Sequence, residues 1–228
     1  MCGIAGLWVR RESVEPLARA RRMAAVLHHR GPDQSGAWAD GALGLGHARL
    51  AVIDLSPAAA QPMLDGGDRA AIAFNGEIYN FRELRTELEA AGAVFLSHSD
   101  TEVVLQGYLR WGTGVFGRLR GMFALALYDR RQRRLILARD RVGKKPLYYH
   151  DGPGMFAFGS EIKAILANPE IGRRPNLEAL HHYLTLQYTP CPDSAFEGIH
   201  RLPPAHFMVV EADGRSRMER YWRLPHPR

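Results

Sequence analysis

The 228 residues are 46% hydrophobic, 24% charged and 9% aromatic, a composition that indicates a globular protein and excludes disorder. No apolar run approaches the roughly 18 residues that span a membrane, and the N-terminus lacks the charge order of a signal peptide. We therefore expect a cytoplasmic protein with no membrane partner. The net charge of +6 comes from scattered side chains, which predicts no nucleic-acid partner.

The first half of the chain begins with an apolar strand at Gly3–Val9 and continues with a helix over residues 13–29, for which Ser13 is the expected cap. Glycine-punctuated, β-like sequence covers residues 36–53, and a further strand covers residues 70–74. We expect these segments to be adjacent strands of one sheet.

The second half alternates helical and strand-like segments. Helices are predicted over residues 81–91, with Asn80 as cap and Gly92 as stop, and over residues 101–111, with Asp100 as cap. Four short strand-like segments separated by turns are typical of an antiparallel meander and predict a second sheet, at residues 122–129, 134–140, 146–150 and 155–160. Helices are then predicted at residues 161–167 and 177–184, and a last strand at residues 206–210. Two antiparallel sheets with helices on their outer faces make an α+β fold.

Cys2 is the most informative single residue. Unpaired cysteines are usually small buried hydrophobes, and Cys191 is expected to be an unreactive loop thiol. If Met1 is removed, however, the thiol and a free α-amino group belong to the same residue. An amine with a pKa near ~7.7–8.0 can then accept the thiol proton, which is the N-terminal-nucleophile arrangement. No cysteine or histidine spacing is typical of a metal site, so no metal is expected.

Asn75 and Gly76 form an Asn-Gly pair after a strand. Such a pair is most often a tight hairpin turn. It also offers a side-chain amide N–H beside an unhindered backbone N–H, which together can stabilise an oxyanion. The sequence alone leaves both interpretations open.

Three charged residues could bind a free amino acid. Arg49 is either a solvated strand-end arginine or a bidentate clamp for an α-carboxylate. Glu77 is most simply a turn carboxylate and Asp100 a helix cap. Together, the arginine and the two carboxylates could hold the carboxylate and ammonium ends of an amino acid and leave its side chain for the thiol.

Eight motifs occur in an order that resembles the glutaminase half of asparagine synthetase, a class II glutamine amidotransferase domain. They are MCGIAG at 1–6, RGPDQSG at 30–36, RLAVID at 49–54, QPM at 61–63, FNGEIYN at 74–80, HSDTE at 98–102, RGMFALALYD at 120–129 and ARDRVGKKPLYY at 138–149. The resemblance covers essentially the whole chain.

The resemblance implies a four-layer α-β-β-α sandwich of the N-terminal nucleophile hydrolase type. It implies Cys2 as nucleophile after loss of Met1, and Asn75 and Gly76 as oxyanion hole. It places Arg49 on the α-carboxylate of L-glutamine and Glu77 and Asp100 on its ammonium group. A strand lining the pocket would comprise Leu50, Ala51, Val52 and Ile53.

The resemblance also implies an amidotransferase domain at residues 1–210, followed by a segment at 211–228 that leads to a synthetase domain. The Ser-Gly-Gly-x-Asp-Ser loop of that synthetase domain is not found in the 228 residues. We expect ATP and Mg²⁺ to bind only there, no cofactor in this domain, and a synthetase domain or chain, and a homodimer, as partners. Two alternatives stay open: a glutaminase that feeds another acceptor in a tailoring enzyme, and a non-catalytic interaction module of the same fold.

Overall fold

The computed structural model describes residues 1–10 and 15–225 of the chain. In these residues the strands are β1 (Gly3–Val9), β2 (Gln34–Asp40), β3 (Leu43–Arg49), β4 (Met63–Leu64), β5 (Ala70–Ile78), β6 (Gly121–Asp129), β7 (Arg134–Arg139), β8 (Tyr148–Asp151), β9 (Met155–Gly159), β10 (His200–Arg201), β11 (His206–Glu211) and β12 (Ser216–Arg220). The α-helices are α1 (Pro16–Ala25), α2 (Phe81–Ala90), α3 (Asp100–Trp111), α4 (Val115–Arg118), α5 (Ile162–Ile165) and α6 (Leu177–Leu186).

These strands form two antiparallel sheets. The first has the order β10-β8-β9-β1-β3-β2 and the second the order β12-β11-β7-β6-β5-β4. Within the first sheet β1 pairs with both β3 and β9, and within the second β5 pairs with β6 along its whole length. Cys2, immediately before β1, therefore lies beside the end of β3.

Three clusters of buried side chains separate four layers. One cluster fills the space between the two sheets and includes Trp8, Phe156 and Phe158. A second lies between the second sheet and helices α2 and α3, and a third between the first sheet and helices α1 and α5. The order helix, sheet, sheet, helix confirms the predicted α-β-β-α sandwich.

The assignment of strands to sheets corrects the sequence-based expectation. Strands β2 and β3 belong to the first sheet, but β5 belongs to the second. The expected four-strand meander is divided in the same way, since β6 and β7 lie in the second sheet while β8 and β9 lie in the first. Strands such as β3 are buried along their whole length, so an alternating pattern that would show which face is covered is absent there.

Most helices are shorter than expected or begin differently. Helix α1 covers Pro16–Ala25, and the expected cap Ser13 lies outside the described residues. Ser99, not Asp100, caps α3, because its hydroxyl accepts a hydrogen bond from the Glu102 N–H at 3.2 Å. The Asn80 side chain occupies the cap position of α2 but bonds to the backbone of residues 118 and 120 instead.

Near the expected site, one open interpretation and one predicted strand are excluded by the structure. Asn75 and Gly76 are not a hairpin turn, because both lie inside β5 opposite Ala124 and Phe123 of β6. Residues 50–53 are not a strand, because β3 ends at Arg49 and an irregular loop follows.

The C-terminal segment contributes to the second sheet. Strand β12 pairs with β11 from Ser216 to Arg220, and Tyr221 donates a hydrogen bond of 2.7 Å from its hydroxyl to the Arg139 carbonyl. Sheet structure thus continues beyond residue 210 as far as residue 220. Across the described ranges, none of the helices combines the length and apolarity needed to cross a bilayer.

Candidate active site

A cavity of about 170 Å³ opens where the two sheets and the start of α3 meet. Its walls include every residue that the sequence predicted for catalysis or substrate binding, namely Cys2, Arg49, Leu50, Ala51, Val52, Ile53, Asn75, Gly76, Glu77 and Asp100. Further lining residues are Met1, Asp54, Ala59, Gln61, Phe74, Ser99, Thr101, Met122 and Lys145. The cavity combines a thiol, amide donors, cations and carboxylates in one small space.

Cys2 is held by its backbone and faces the loop after β3. The Arg30 Nε donates a hydrogen bond of 3.0 Å to the Cys2 carbonyl oxygen, and the Leu50 N–H lies 3.4 Å from the Cys2 Sγ. Burial raises the pKa of the Cys2 thiol, while the Leu50 hydrogen bond, the N-terminal ammonium and Arg49 lower it. A thiolate at this position is therefore stabilised by an N–H donor and by cations but opposed by burial.

Asn75 and Gly76 present donors at the opposite wall. Asn75 is 1% exposed, and in the described part of the chain its Nδ2 is buried without a hydrogen-bond partner. An unmatched amide donor in a buried site is costly unless a ligand accepts its proton. At Gly76 a Cβ would lie 2.7 Å from the Phe123 Cα, so close packing against β6 is by itself a reason for glycine at this position.

Arg49 is buried, and its guanidinium already binds the chain. It donates 3.0 Å to the Gln34 Oε1 and 3.3 Å to the Ser56 carbonyl, and it also bonds to the Asp54 carbonyl. The expectation of a solvated strand-end arginine is thus wrong. Arg49 fixes the loop over residues 50–56, and a substrate carboxylate at this position would share the fork with these carbonyls.

Asp100 and Glu77 place two carboxyl groups on the same cavity. Asp100 is 4% exposed and accepts a hydrogen bond of 2.9 Å from the Ile78 N–H. Burial raises the pKa of Asp100 to about 6, and the neighbouring Glu77 adds to this effect while backbone N–H groups oppose it. A pair of carboxyl groups with one raised pKa is a suitable site for a small cation such as a substrate ammonium group.

Other residues of the site had no predicted role. Gln61 accepts a hydrogen bond of 2.6 Å from the Phe74 N–H and donates 3.3 Å to the Thr101 hydroxyl, which links β5 to α3. His47 of β3 lies 3.0 Å from the Phe74 carbonyl through Nε2, and burial lowers its pKa to about 4, so the ring is neutral at pH 7. Gln61 belongs to one of the recognised sequence motifs, but the motif alone did not show what its side chain contacts.

Comparisons with known proteins agree with this geometry. Residues 1–222 match the model of the glutamine amidotransferase domain family. The chain is 41% identical to asparagine synthetase [glutamine-hydrolyzing] 3 of Bacillus subtilis, covering 98% of this chain and 37% of that protein. It is 43% identical to a putative asparagine synthetase [glutamine-hydrolyzing] of Mycobacterium tuberculosis H37Rv, covering 89% of this chain and 33% of that protein. The chain thus spans about a third of the length of these curated relatives.

A solved structure supports the fold. The glutamine phosphoribosylpyrophosphate amidotransferase of Bacillus subtilis, complexed with ADP and GMP, matches with a TM-score of 0.70 at 20% identity, covering 96% of this chain and 49% of that one. The two-sheet sandwich is therefore the fold of this amidotransferase, in agreement with the predicted architecture. From the family match and this fold, the chain belongs to the glutamine amidotransferase domain family.

Proposed function

We propose that this chain hydrolyses L-glutamine to glutamate and ammonia through Cys2. The observation that carries the proposal is the convergence on one cavity of the Cys2 thiol, the Asp100–Glu77 carboxyl pair and the Asn75 Nδ2, which has no hydrogen-bond partner among the described residues. This set contains a nucleophile, an oxyanion donor and a site for an ammonium group.

The reaction begins after Met1 is removed. The freed α-amino group of Cys2 accepts the thiol proton, and the thiolate attacks the side-chain amide carbon of glutamine. The Asn75 Nδ2 and the Gly76 N–H stabilise the oxyanion, each contributing roughly 2.7–4 kcal/mol if it behaves like other such donors. The Cys2 ammonium then protonates the leaving nitrogen, which departs as ammonia and leaves a γ-glutamyl thioester.

Water completes the cycle. The neutral Cys2 amine takes a proton from water, the hydroxide adds to the thioester, and the thiolate leaves with glutamate as the product. Glu77 and Asp100 hold the substrate ammonium group throughout, and Arg49 and the loop over residues 50–56 bind the α-carboxylate of the substrate. The irregular path of residues 50–53 lets both backbone groups of Leu50 approach the thiol, at 3.4 and 3.5 Å.

We infer the ammonia acceptor from the relatives, of which this chain spans about a third. Because the named relatives are glutamine-hydrolysing asparagine synthetases, we infer that a synthetase part amidates aspartate with ATP and Mg²⁺. A full-length protein that makes asparagine from aspartate and glutamine nitrogen would support this acceptor, whereas nitrogen transfer only to another compound would support the tailoring-enzyme alternative. A homodimer and a cytoplasmic location stay predictions.

The decisive variant is Cys2→Ala, with Cys191→Ala as its matched control. Both cysteines are free thiols, but Cys191 is exposed and lies outside the cavity. We expect Cys2→Ala to lower glutamine-dependent ammonia release by about 10³-fold or more, and Cys191→Ala to leave it unchanged. Parent-level ammonia release from Cys2→Ala would refute the mechanism, and an inactive parent with Met1 removed, verified by intact mass, would favour the non-catalytic module.

A further inference from the structure

Lys145 is a buried lysine that the proposed mechanism does not use. It lies between β7 and β8, where its backbone N–H donates 3.0 Å to the Asp140 carboxylate and its carbonyl accepts 2.7 Å from the Arg139 Nε. The residue is 6% exposed and lines the same cavity as Cys2. Its main chain is therefore fixed beside the cavity, and its side chain is buried there.

The Lys145 ammonium has an unusual partner. In the part of the chain that the structure describes, its hydrogen bond goes to the Met1 Sδ at 3.2 Å, and no carboxylate lies within ion-pair distance. A thioether is a weak acceptor, and a buried ammonium without a good partner is costly. Burial accordingly lowers the pKa of Lys145, against the attraction of Glu77.

Removal of Met1 changes what Lys145 faces. The residue that leaves is the one that its ammonium contacts, and its loss makes Cys2, which lines the same cavity as Lys145, the new chain terminus with a free α-amine. Resting on the proposed function, we propose that Lys145 is a positioning residue that keeps the Cys2 α-amino group in its neutral, proton-accepting form. A cation near an amine disfavours a second positive charge, so the amine is available as a base near neutral pH.

The other cations around Cys2 are already bound by acceptors of the chain. Arg30 is paired with Glu161 at 2.9 Å, and Arg49 is bonded to Gln34 and to loop carbonyls. Glu77 and Asp100 act in the opposite direction until a substrate ammonium neutralises them. The charged groups near Cys2 and Lys145 are Arg30, Arg49, Glu77, Asp100, Asp140 and Glu161. Within the described residues, Lys145 differs from these two arginines because its ammonium has neither a carboxylate at ion-pair distance nor a set of carbonyl acceptors.

The test compares Lys145→Met, Lys145→Arg and the matched control Lys144→Met, since Lys144 is the exposed neighbour in the same loop. Glutamine hydrolysis is measured from pH 5.5 to 9.5 with protein that has lost Met1. We expect Lys145→Met to move the acid limb of kcat/KM upward by about one pH unit, with about a tenfold loss at pH 6 that disappears at high pH. Lys145→Arg should restore the parent profile, and Lys144→Met should not alter it.

A second readout does not need glutamine. In a Cys191→Ala background, the rate of iodoacetamide alkylation of Cys2 is followed against pH, and Lys145→Met should shift this profile upward as well. An unshifted acid limb, or a loss confined to KM at every pH, would overturn the assignment. If the parent itself fails to hydrolyse glutamine, the proposed function fails, and that result is distinct from an active parent whose profile does not depend on Lys145.

Discussion

Replacing Asp100 with Asn should stabilise the protein while weakening glutamine use. Folding raises the pKa of Asp100 from its ordinary value of 3.8 to about 6, mainly through burial, so the folded state disfavours the ionised carboxylate. At a pH above both pKa values, the ionised carboxylate lowers the free energy of unfolding by about 3 kcal/mol. Partial protonation reduces this loss to about 1.6 kcal/mol at pH 5 and about 0.5 kcal/mol at pH 4. The neutral Asn does not carry that cost, and its oxygen can still accept from the Ile78 N–H.

The expected result is a pH-dependent gain. The free energy of unfolding measured in urea should be about 3 kcal/mol higher for Asp100→Asn than for the parent at pH 8, and this difference should shrink steadily toward pH 4. Glu87→Gln, an exposed carboxylate on α2, is the control and should show no such trend. In the same variant kcat/KM for glutamine should fall about 10- to 100-fold, because the substrate ammonium loses a charged partner. A variant that is less stable than the parent at pH 8 would refute the reasoning.

Two further variants test the backbone and the loop. Gly76→Ala should destabilise the fold by about 1–3 kcal/mol in urea unfolding and abolish hydrolysis, because the added Cβ meets the backbone of β6. The control Gly117→Ala, in open space on α4, should be neutral or slightly stabilising in the same assay. Equal effects of the two variants would contradict the packing argument. Arg49→Lys should raise KM for glutamine about tenfold or more and speed proteolysis within residues 50–56, because an ammonium cannot bind Gln34, Asp54 and Ser56 as the guanidinium does. The control is Arg174→Lys at an exposed arginine. An unchanged KM in Arg49→Lys would show that the guanidinium is dispensable.

The composition of the site was accessible from the sequence because its chemistry is carried by rare, short signals. A cysteine at position 2 and the ordered motifs identified all ten predicted residues that line the cavity. Their contacts were not accessible in the same way. The resemblance implied that Arg49 binds a substrate carboxylate, but it did not show that the guanidinium is also bonded to the chain's own carbonyls, which only the path of the 50–56 loop reveals.

The fold class followed from the alternation of strands and helices, whereas the membership of each sheet did not. Periodicity reports whether one or both faces of a strand are covered, and β3 and β7 are buried on both. Such strands carry no mark of which layer they belong to. The hairpin interpretation of the Asn75–Gly76 pair fails for a related reason: local turn preference favours a hairpin, but pairing of β5 with β6 along its whole length outweighs it.

The division of strands between two sheets bears directly on the chemistry. Cys2 and Arg49 lie at the ends of strands of the first sheet, while Asn75, Gly76 and Glu77 lie in the second. The distance from the proposed nucleophile to the proposed oxyanion donors is therefore set by how the sheets pack. Next to Asn75, strands β5 and β6 of the second sheet face the first sheet with small side chains, namely Ala71, Ala73, Ala124 and Ala126. The large rings of Phe156 and Phe158 contribute to the same layer from β9. The buried bond between His47 of β3 and the Phe74 carbonyl of β5 joins the sheets next to Asn75. Because that histidine stays neutral at pH 7, it can hold the sheets together without adding a charge to the cavity in which Lys145 and the two carboxylates act.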